Sequence, residues 1–189
     1  MSQATPAKIR WTRRAVEALT QSEGTRYEII DGELFVTRSP HRRHQQAGGN
    51  VYQELNLWSE ATGLGEAIPT PGLIFSESDT VIPDVVWVST ARLAAIEDEA
   101  GHLTAAPELV IEVLSPGTHN EARDREIKLR LYSVTGVQEY WILNRFLQQV
   151  EVYRRMANEL TLVVTLANSD ALTSPLLPGF SCAVSRLFR

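Results

Sequence analysis

Apolar and polar residues alternate along the N-terminal third of the chain in patterns that predict helix, hairpin and helix in turn. A short helix is expected over residues 12–22, where apolar residues recur at helical spacing behind a threonine cap. Residues 27–37 predict a β-hairpin, because two apolar arms flank Asp31-Gly32, a dipeptide typical of tight turns. Residues 44–61 return to helical spacing and predict a longer helix.

The remaining pattern predicts a sheet that is partly covered by helices. Helices are expected over residues 90–98 and 120–134, and Gly136 ends the second. Strands are expected over residues 67–68, 73–76, 81–88, 109–114, 137–143, 149–155 and 160–166. Pro178 and the residues after it predict a turn and a short element of unassigned type. This order of elements indicates a mixed α/β core.

Length and composition indicate one globular domain over residues 1–189, with residues 1–14 as a loosely ordered N-terminal extension. The single cysteine, Cys182, excludes a disulfide framework or a cysteine zinc cluster and favours the reducing cytoplasm. No stretch reaches the roughly 18 apolar residues of a membrane-spanning helix, and the N-terminus shows no secretory pattern.

Charge is distributed unevenly along a chain whose net charge is −5. Residues 1–43 carry eight basic and five acidic side chains, whereas the remaining residues carry ten basic and eighteen acidic ones. The acidic total disfavours a protein that binds nucleic acid over its whole surface. The basic N-terminal third could still form a local positive patch, or its arginines could be scattered over a solvated surface.

Two carboxylates occupy apolar strands, where a purely structural sequence would not place them. Asp84 follows Pro83 in VIPDVVWV, and Glu112 lies within ELVIEVLS. Alternation puts Glu112 on the same face as Val110 and Leu114, so its carboxylate must be paired, protonated or bound to a metal. Acids from neighbouring strands that share a cleft suit Mg²⁺. The alternative is that Asp84 ends a turn and Glu112 pairs with an arginine.

Lys128 is a further candidate, because its helix directly follows the strand of Glu112. Asp124 precedes it by four residues, so an ordinary helical ion pair is the alternative. Tyr132 lies one turn later on the same face. His41, His44 and His119 lack the context of a known metal motif, and surface roles are expected for them. The chain contains no GxSxG, P-loop or GxGxxG motif.

Several motifs together resemble the Uma-two family, a bacterial family of restriction-endonuclease-like proteins. The run PELVIEVLSPGTHNEARDREIKLRLYSVTGVQEYWILN carries most of the resemblance. YEIIDGEL at residues 27–34, the Pro83-Asp84 pair and Pro178-Gly179-Phe180 also match. The likeness extends over roughly residues 15–188, and the family it points to looks like part of the PD-(D/E)XK nuclease superfamily. It implies a restriction-endonuclease-like α/β fold, in which helices flank a mixed sheet, with an N-terminal helix and hairpin.

The resemblance also implies a divalent-metal site. Asp84 and Glu112 correspond to the family's metal ligands, joined by the carbonyl of Val113 and by Glu28, for Mg²⁺ or Mn²⁺. The superfamily's usual lysine position, two residues after the acid, is Leu114 here. The resemblance suggests that Lys128 takes over this catalytic role from the adjacent helix.

The leading hypothesis is therefore a cytoplasmic, metal-dependent endonuclease that hydrolyses DNA, with Asp84, Glu112 and Lys128 as catalytic residues. Contacts to the DNA are predicted for His44, Tyr132, Arg42 and Arg43. A homodimer is plausible, because two-fold symmetry matches a duplex. One alternative is a non-catalytic nuclease-like fold used for binding or regulation, favoured by the missing lysine and the acidic composition. Another is a metal-dependent hydrolase of a small phosphoester.

Overall fold

Six strands form the central sheet in the computed structural model, which describes residues 9–19, 24–38 and 40–189. Across the sheet, the order is β10 (Glu159–Leu166), β9 (Gln149–Met156), β8 (Glu139–Asn144), β7 (Leu109–Val113), β6 (Val85–Ser89) and β3 (Gly65–Pro69). Strands β7 and β8 run parallel, and the other neighbouring pairs run antiparallel.

A second sheet of four strands is built around the predicted hairpin. The hairpin turns at Asp31 and Gly32, whose φ values of 49° and 71° are both positive, as a tight primed turn requires. The order is β2 (Glu33–Arg38), β1 (Thr25–Ile30), β5 (Asp79–Val81) and β4 (Leu73–Ser76). A separate short pair joins β11 (Ala171–Leu172) to β12 (Cys182–Ala183).

Helices cover the central sheet and connect its strands. The helical elements are α1 (Arg13–Glu17), α2 (Arg42–Thr62), α3 (Thr90–Ile96), α4 (Thr118–Ala122), a π-helical turn (Arg123–Lys128), α5 (Leu129–Thr135) and a 3₁₀ turn (Val184–Arg186). Thr12 caps α1 by accepting a hydrogen bond from the amide of Ala15. Gly136, with φ of 102°, ends α5 as predicted. No helix in the described part of the chain is long and apolar enough to cross a membrane.

The two faces of the central sheet bury two hydrophobic clusters. On one face, Val51 and Leu55 of α2 pack against the Ile111 and Val113 side of β7, together with Phe180 and its neighbours near the C-terminus. On the other face, Tyr132 of α5 packs against the Val110 and Leu114 side. The predicted alternation of β7 is therefore confirmed, as is the mixed α/β class.

Three predicted elements differ from the structure. The strand expected over 81–88 is wrong, because β5 ends at Val81 and β6 begins at Val85. Pro83 lies in this gap and has no amide to donate to a neighbouring strand. The continuous helix expected over 120–134 is instead α4, the π-helical turn and α5. Helix α1 ends at Glu17, and residues 20–22 of the predicted helix lie outside the described residues.

Residues 10 and 11 of the expected N-terminal extension are attached to the hairpin turn. The amide of Trp11 donates to the carbonyl of Gly32 over 2.8 Å, and Arg10 pairs with Asp31. Residues 1–8 of the expected extension lie outside the described residues.

Candidate active site

The predicted acids meet in a cavity of about 360 Å³ where the two sheets approach each other. Five parts of the fold supply its inner ionisable side chains. These are Arg26 and Glu28 from β1, His44 from α2, Asp84 and Glu112 from the β5–β6 connection and β7, and Arg123, Asp124 and Lys128 from the π-helical turn. The structure thus brings together Asp84, Glu112, Lys128 and Glu28, which lie far apart in the sequence.

Glu112 is buried on the face of β7 that the alternation predicted. One of its oxygens, Oε1, accepts hydrogen bonds from the Lys128 ammonium over 2.8 Å and from the Tyr132 hydroxyl over 2.9 Å. Both donors come from the helical segment that follows β7 in the chain. Glu112 is only 4% exposed, and these two donors hold its carboxylate in one orientation.

Lys128 bridges Glu112 and Glu28 instead of forming the ion pair expected within its helix. Its Nζ lies 2.9 Å from Oε1 of Glu28. Asp124 pairs with its neighbour Arg123, whose Nε lies 3.4 Å from Oδ1. The alternative for Lys128, a helical ion pair with Asp124, is therefore wrong. The physical cause is the π-helical turn, whose i→i+5 hydrogen bonds remove the i,i+4 alignment of an α-helix.

Tyr140 helps to stabilise this widened turn. Its hydroxyl donates to the backbone carbonyl of Asp124 over 3.0 Å, and its ring is fully buried on β8. A π-helical turn disturbs the usual carbonyl pairing of a helix, and a buried carbonyl needs a donor. The contact therefore links the sheet to the turn that carries Lys128.

Glu28 connects Lys128 to the segment that carries Asp84. Its Oε1 also accepts from the amide of Ile82 over 2.9 Å, just before Pro83. Burial opposes the charged form of Glu28, but the Lys128 ammonium and the Ile82 amide outweigh it and lower its pKa. Glu28 is therefore a buried carboxylate that fixes two parts of the site.

Asp84 is held from three directions. Its Oδ1 lies 3.1 Å from an Arg26 nitrogen, and its Oδ2 accepts from the amide of Val113 over 2.9 Å. The Nε2 of His44 lies 3.3 Å from the same Oδ2. The surface role expected for His44 is wrong, because the side chain is buried and turned toward Asp84.

Four carboxylates around the cavity face three buried or half-buried cations among the described residues. The acids are Glu28, Asp84, Glu112 and Asp124, the cations are Arg26, Arg123 and Lys128, and the exposed Arg38 lies at the rim. Burial raises the pKa of Glu112 to about 8, and the neighbouring acids add to this effect against the pull of Lys128. Burial likewise raises the pKa of Asp124. The site therefore holds one acid more than its inner cations neutralise.

The predicted DNA contacts lie in different surroundings. Tyr132 is fully buried and donates to Glu112, so it offers no surface to a ligand. Arg42 and Arg43 are exposed and line a second depression beside the cavity. Sequence reasoning missed Arg26 and Arg123. The position of Arg26, two residues before Glu28 on one strand face, was a usable signal.

The donor set of the cavity suits Mg²⁺ bound through few protein ligands. No group of three or more His, Cys, Asp or Glu side chains in the described residues is arranged to hold a metal ion. Asp84 and Glu112 nevertheless provide hard carboxylate oxygens, and Mg²⁺ is commonly bound by one or two carboxylates with water and phosphate oxygens. The excess of negative charge in the cavity agrees with a Mg²⁺ ion bound by one or two carboxylates. The described residues do not fit a metal ion that is surrounded by protein ligands alone.

The raised pKa of Glu112 predicts how stability depends on pH. Between the ordinary value of 4.5 and about 8, the folded protein holds one proton more than the unfolded chain. Its free energy of unfolding therefore falls as pH rises through this window. Without divalent ions, Glu112→Gln should abolish this fall. At pH 9 the free energy of unfolding of the variant should then exceed that of wild type by at least about 1 kcal/mol, which raises the melting temperature by roughly 2–4 °C.

Thermal unfolding from pH 5 to pH 9 measures this difference. Glu66→Gln, which changes an exposed carboxylate on β3, is the matched control and should follow wild type. A Glu112→Gln protein that is less stable than wild type at every pH would contradict the prediction that excess negative charge in the cavity destabilises the fold.

The fold and the site define a nuclease-like α/β protein, with acids on neighbouring chain segments and a lysine against one of them. A family model described as "Uma2: Putative restriction endonuclease" matches residues 14–185, and the chain belongs to this family. The predicted membership is thereby confirmed.

The fold is also similar to a solved structure. This is the crystal structure of "a putative nuclease belonging to DUF820" from Anabaena variabilis, with a TM-score of 0.71 and 18% sequence identity. The alignment covers 94% of this chain and 97% of that one. None of the curated proteins matches the chain.

Proposed function

We propose that the protein is a metal-dependent endonuclease that hydrolyses phosphodiester bonds of DNA. The observation that carries the proposal is the buried Glu112, which has a lysine against one oxygen and Asp84 in the same cavity. Burying four carboxylates together is costly unless a cation compensates them. Asp84 and Glu112 would hold Mg²⁺ or Mn²⁺, with the carbonyl of Val113 as a further ligand.

A bound divalent ion would lower the pKa of a water molecule and offset negative charge on the phosphate. The chain's own residues prepare the site for this chemistry. Lys128 and Tyr132 orient Glu112, while the Val113 amide and His44 orient Asp84. We assign Glu28 and Tyr132 positioning roles, because both are buried and bound to other members of the site.

Lys128 acts as a fixed cation in this proposal and not as a base. Burial opposes its charged form, but Glu112 and Glu28 outweigh burial and raise its pKa above the ordinary lysine value. It therefore keeps its proton and can stabilise charge that develops on the phosphate. The superfamily's usual lysine, which aids the attacking water, would stand two residues after Glu112, where this chain has Leu114.

Arg26 and Arg123 are suited to binding the scissile phosphate. Both line the cavity beside the acids, and a guanidinium can bind two phosphate oxygens at once. The proposal also places the protein in the cytoplasm and as a homodimer whose two sites serve the two strands of a duplex.

The test is cleavage of supercoiled plasmid DNA with Mg²⁺, Mn²⁺ or EDTA, together with the melting temperature. At about 100 times its dissociation constant, Mn²⁺ should stabilise wild type by about 2.7 kcal/mol, or several degrees. Asp84→Asn should lose both the cleavage and most of this stabilisation. Cleavage in EDTA, or equal stabilisation of both proteins, would contradict the proposal.

A non-catalytic binding protein is the second candidate, favoured by one observation. Lys128, Arg26 and Arg123 already pair with the buried acids, and the described residues form no three-ligand metal group. Under this reading, DNA binding needs no divalent ion and the plasmid stays intact under all three conditions.

A further inference from the structure

A second depression, of about 740 Å³, lies beside the acid cavity and is strongly basic. Four of its lining residues are arginines, which we call the arginine patch: Arg42, Arg43, Arg145 and Arg189. Among the described residues, no aspartate or glutamate lines it. Because screening confines fields to about 8 Å, this patch attracts anions although the whole chain carries a net charge of −5.

Arg145 is held ready for an anion by the turn between β8 and β9. The side-chain oxygen of Asn144 accepts hydrogen bonds from the amides of Phe146 and Leu147, both over 3.1 Å, and so fixes the turn. The Arg145 guanidinium lies 3.9 Å from the centre of the Phe146 ring. This stacking holds the planar group in one orientation before a ligand arrives.

One nitrogen of Arg145 lacks the partner that a buried donor requires. Its Nε is buried and makes no hydrogen bond within the described part of the chain. Buried donors in native proteins are nearly always satisfied, so this donor calls for an acceptor such as a water molecule or an anion. This observation is independent of the clustering of positive charge.

The arginine patch and the acid cavity share one turn of helix α2. Arg42 and Arg43 line the patch, whereas His41 and His44 of the same turn line the cavity. One turn advances only about 5.4 Å along a helix, so the two depressions lie close together at the start of α2. A chain of phosphates could therefore pass from one depression to the other across the start of α2.

We propose that the arginine patch binds the backbone phosphates of the nucleic acid whose scissile phosphate lies in the acid cavity. This inference rests on the proposed nuclease function and extends it to the path of the substrate. Guanidinium groups fit phosphate oxygens in pairs, and contacts to the backbone do not depend on base sequence. A polyanion with regularly spaced phosphates fits two adjacent cationic depressions better than an isolated anion does.

The test is the binding of a short fluorescent DNA duplex of mixed sequence, followed by anisotropy at several salt concentrations, with Ca²⁺ in place of Mg²⁺. The variant is Arg42→Gln/Arg145→Gln. The matched control is Arg10→Gln/Arg130→Gln, which removes the same charge from exposed positions outside the patch. Melting temperatures establish that both proteins are folded.

Each lost phosphate contact should reduce the salt slope by about 0.9, which corresponds to about eightfold in affinity at 0.1 M salt. The patch variant should therefore bind roughly 60-fold more weakly for every sequence, and the control should stay within about twofold of wild type. Equal affinities and slopes for wild type and the patch variant would overturn the inference. The absence of DNA binding by wild type would also overturn it. So would a result in which polyglutamate displaces the fluorescent duplex from wild type as effectively as unlabelled DNA does.

Hydrolysis of bis(p-nitrophenyl) phosphate separates this inference from the proposed function. This small diester can occupy the acid cavity alone, so the patch variant should hydrolyse it at the wild-type rate while its DNA cleavage falls with its affinity. If wild type cleaves neither substrate but the patch variant still loses DNA affinity, the inference about the arginine patch is supported and the nuclease proposal fails.

Discussion

Glu112→Gln is expected to lower the rate of DNA cleavage by about 10³-fold or more, equivalent to about 4 kcal/mol of transition-state stabilisation. The amide keeps the shape of the side chain and can still accept from Lys128 and Tyr132. It removes the negative charge that a divalent cation requires. The loss should therefore appear in the turnover rate and in Mn²⁺ binding together, whereas the fold is retained.

Plasmid cleavage and calorimetric titration with Mn²⁺ measure the two losses. Glu66→Gln is the control, because it makes the same chemical change on the exposed side of β3. The same Glu112→Gln protein should be more stable than wild type at high pH without metal, so the loss of cleavage cannot be explained by unfolding. Cleavage by Glu112→Gln within a few-fold of wild type would end the proposed mechanism.

Lys128→Met is expected to destabilise the protein by roughly 3–5 kcal/mol. The methionine fills a similar volume but leaves Glu28, whose lowered pKa keeps it ionised at pH 7, buried without the ammonium that lies 2.9 Å from its Oε1. Removing one partner of a buried ion pair leaves an uncompensated charge, which costs far more than the loss of a surface pair. DNA cleavage should fall as well, because the fixed cation of the site is lost.

Chemical denaturation at pH 7 measures this change, and a second variant gives its cause. Lys128→Met/Glu28→Gln should regain part of the lost stability, because Glu28 is the partner that is ionised at pH 7 and its amide carries no charge to compensate. Arg130→Met, which removes an exposed cation from the adjoining helix α5, should change stability by less than about 0.5 kcal/mol. A Lys128→Met protein as stable as wild type would show that the ammonium does not compensate the acids.

Features that depend on neighbouring residues were predictable. The hairpin formed around Asp31-Gly32 because the conformation of that dipeptide is set within a few residues. The faces of β7 followed from alternation, which placed Glu112 beside Val110 and Leu114. The pairing of Asp84, Glu112 and Lys128 in one cavity was also predicted, from their residue types and from the family resemblance.

Features that depend on distant partners were not predictable. The segment at residues 82–84 is separated from β6 and held by the Glu28 carboxylate of another strand. The π-helical turn is supported by the hydroxyl of Tyr140 on β8. No local periodicity reports either contact, so the sequence predicted one strand and one continuous helix in these places.

The sequence by itself determined the mixed α/β class, the acids within apolar segments and the family, because each depends on residue type and order. Only the tertiary structure decided the partners of those acids. In the structure, Lys128 pairs with Glu28 and not with Asp124. His44 is buried against Asp84, and Arg42 lines the same depression as Arg145. The physical reason is that burial and the charge of distant groups set the state of an ionisable side chain, and chain order specifies neither.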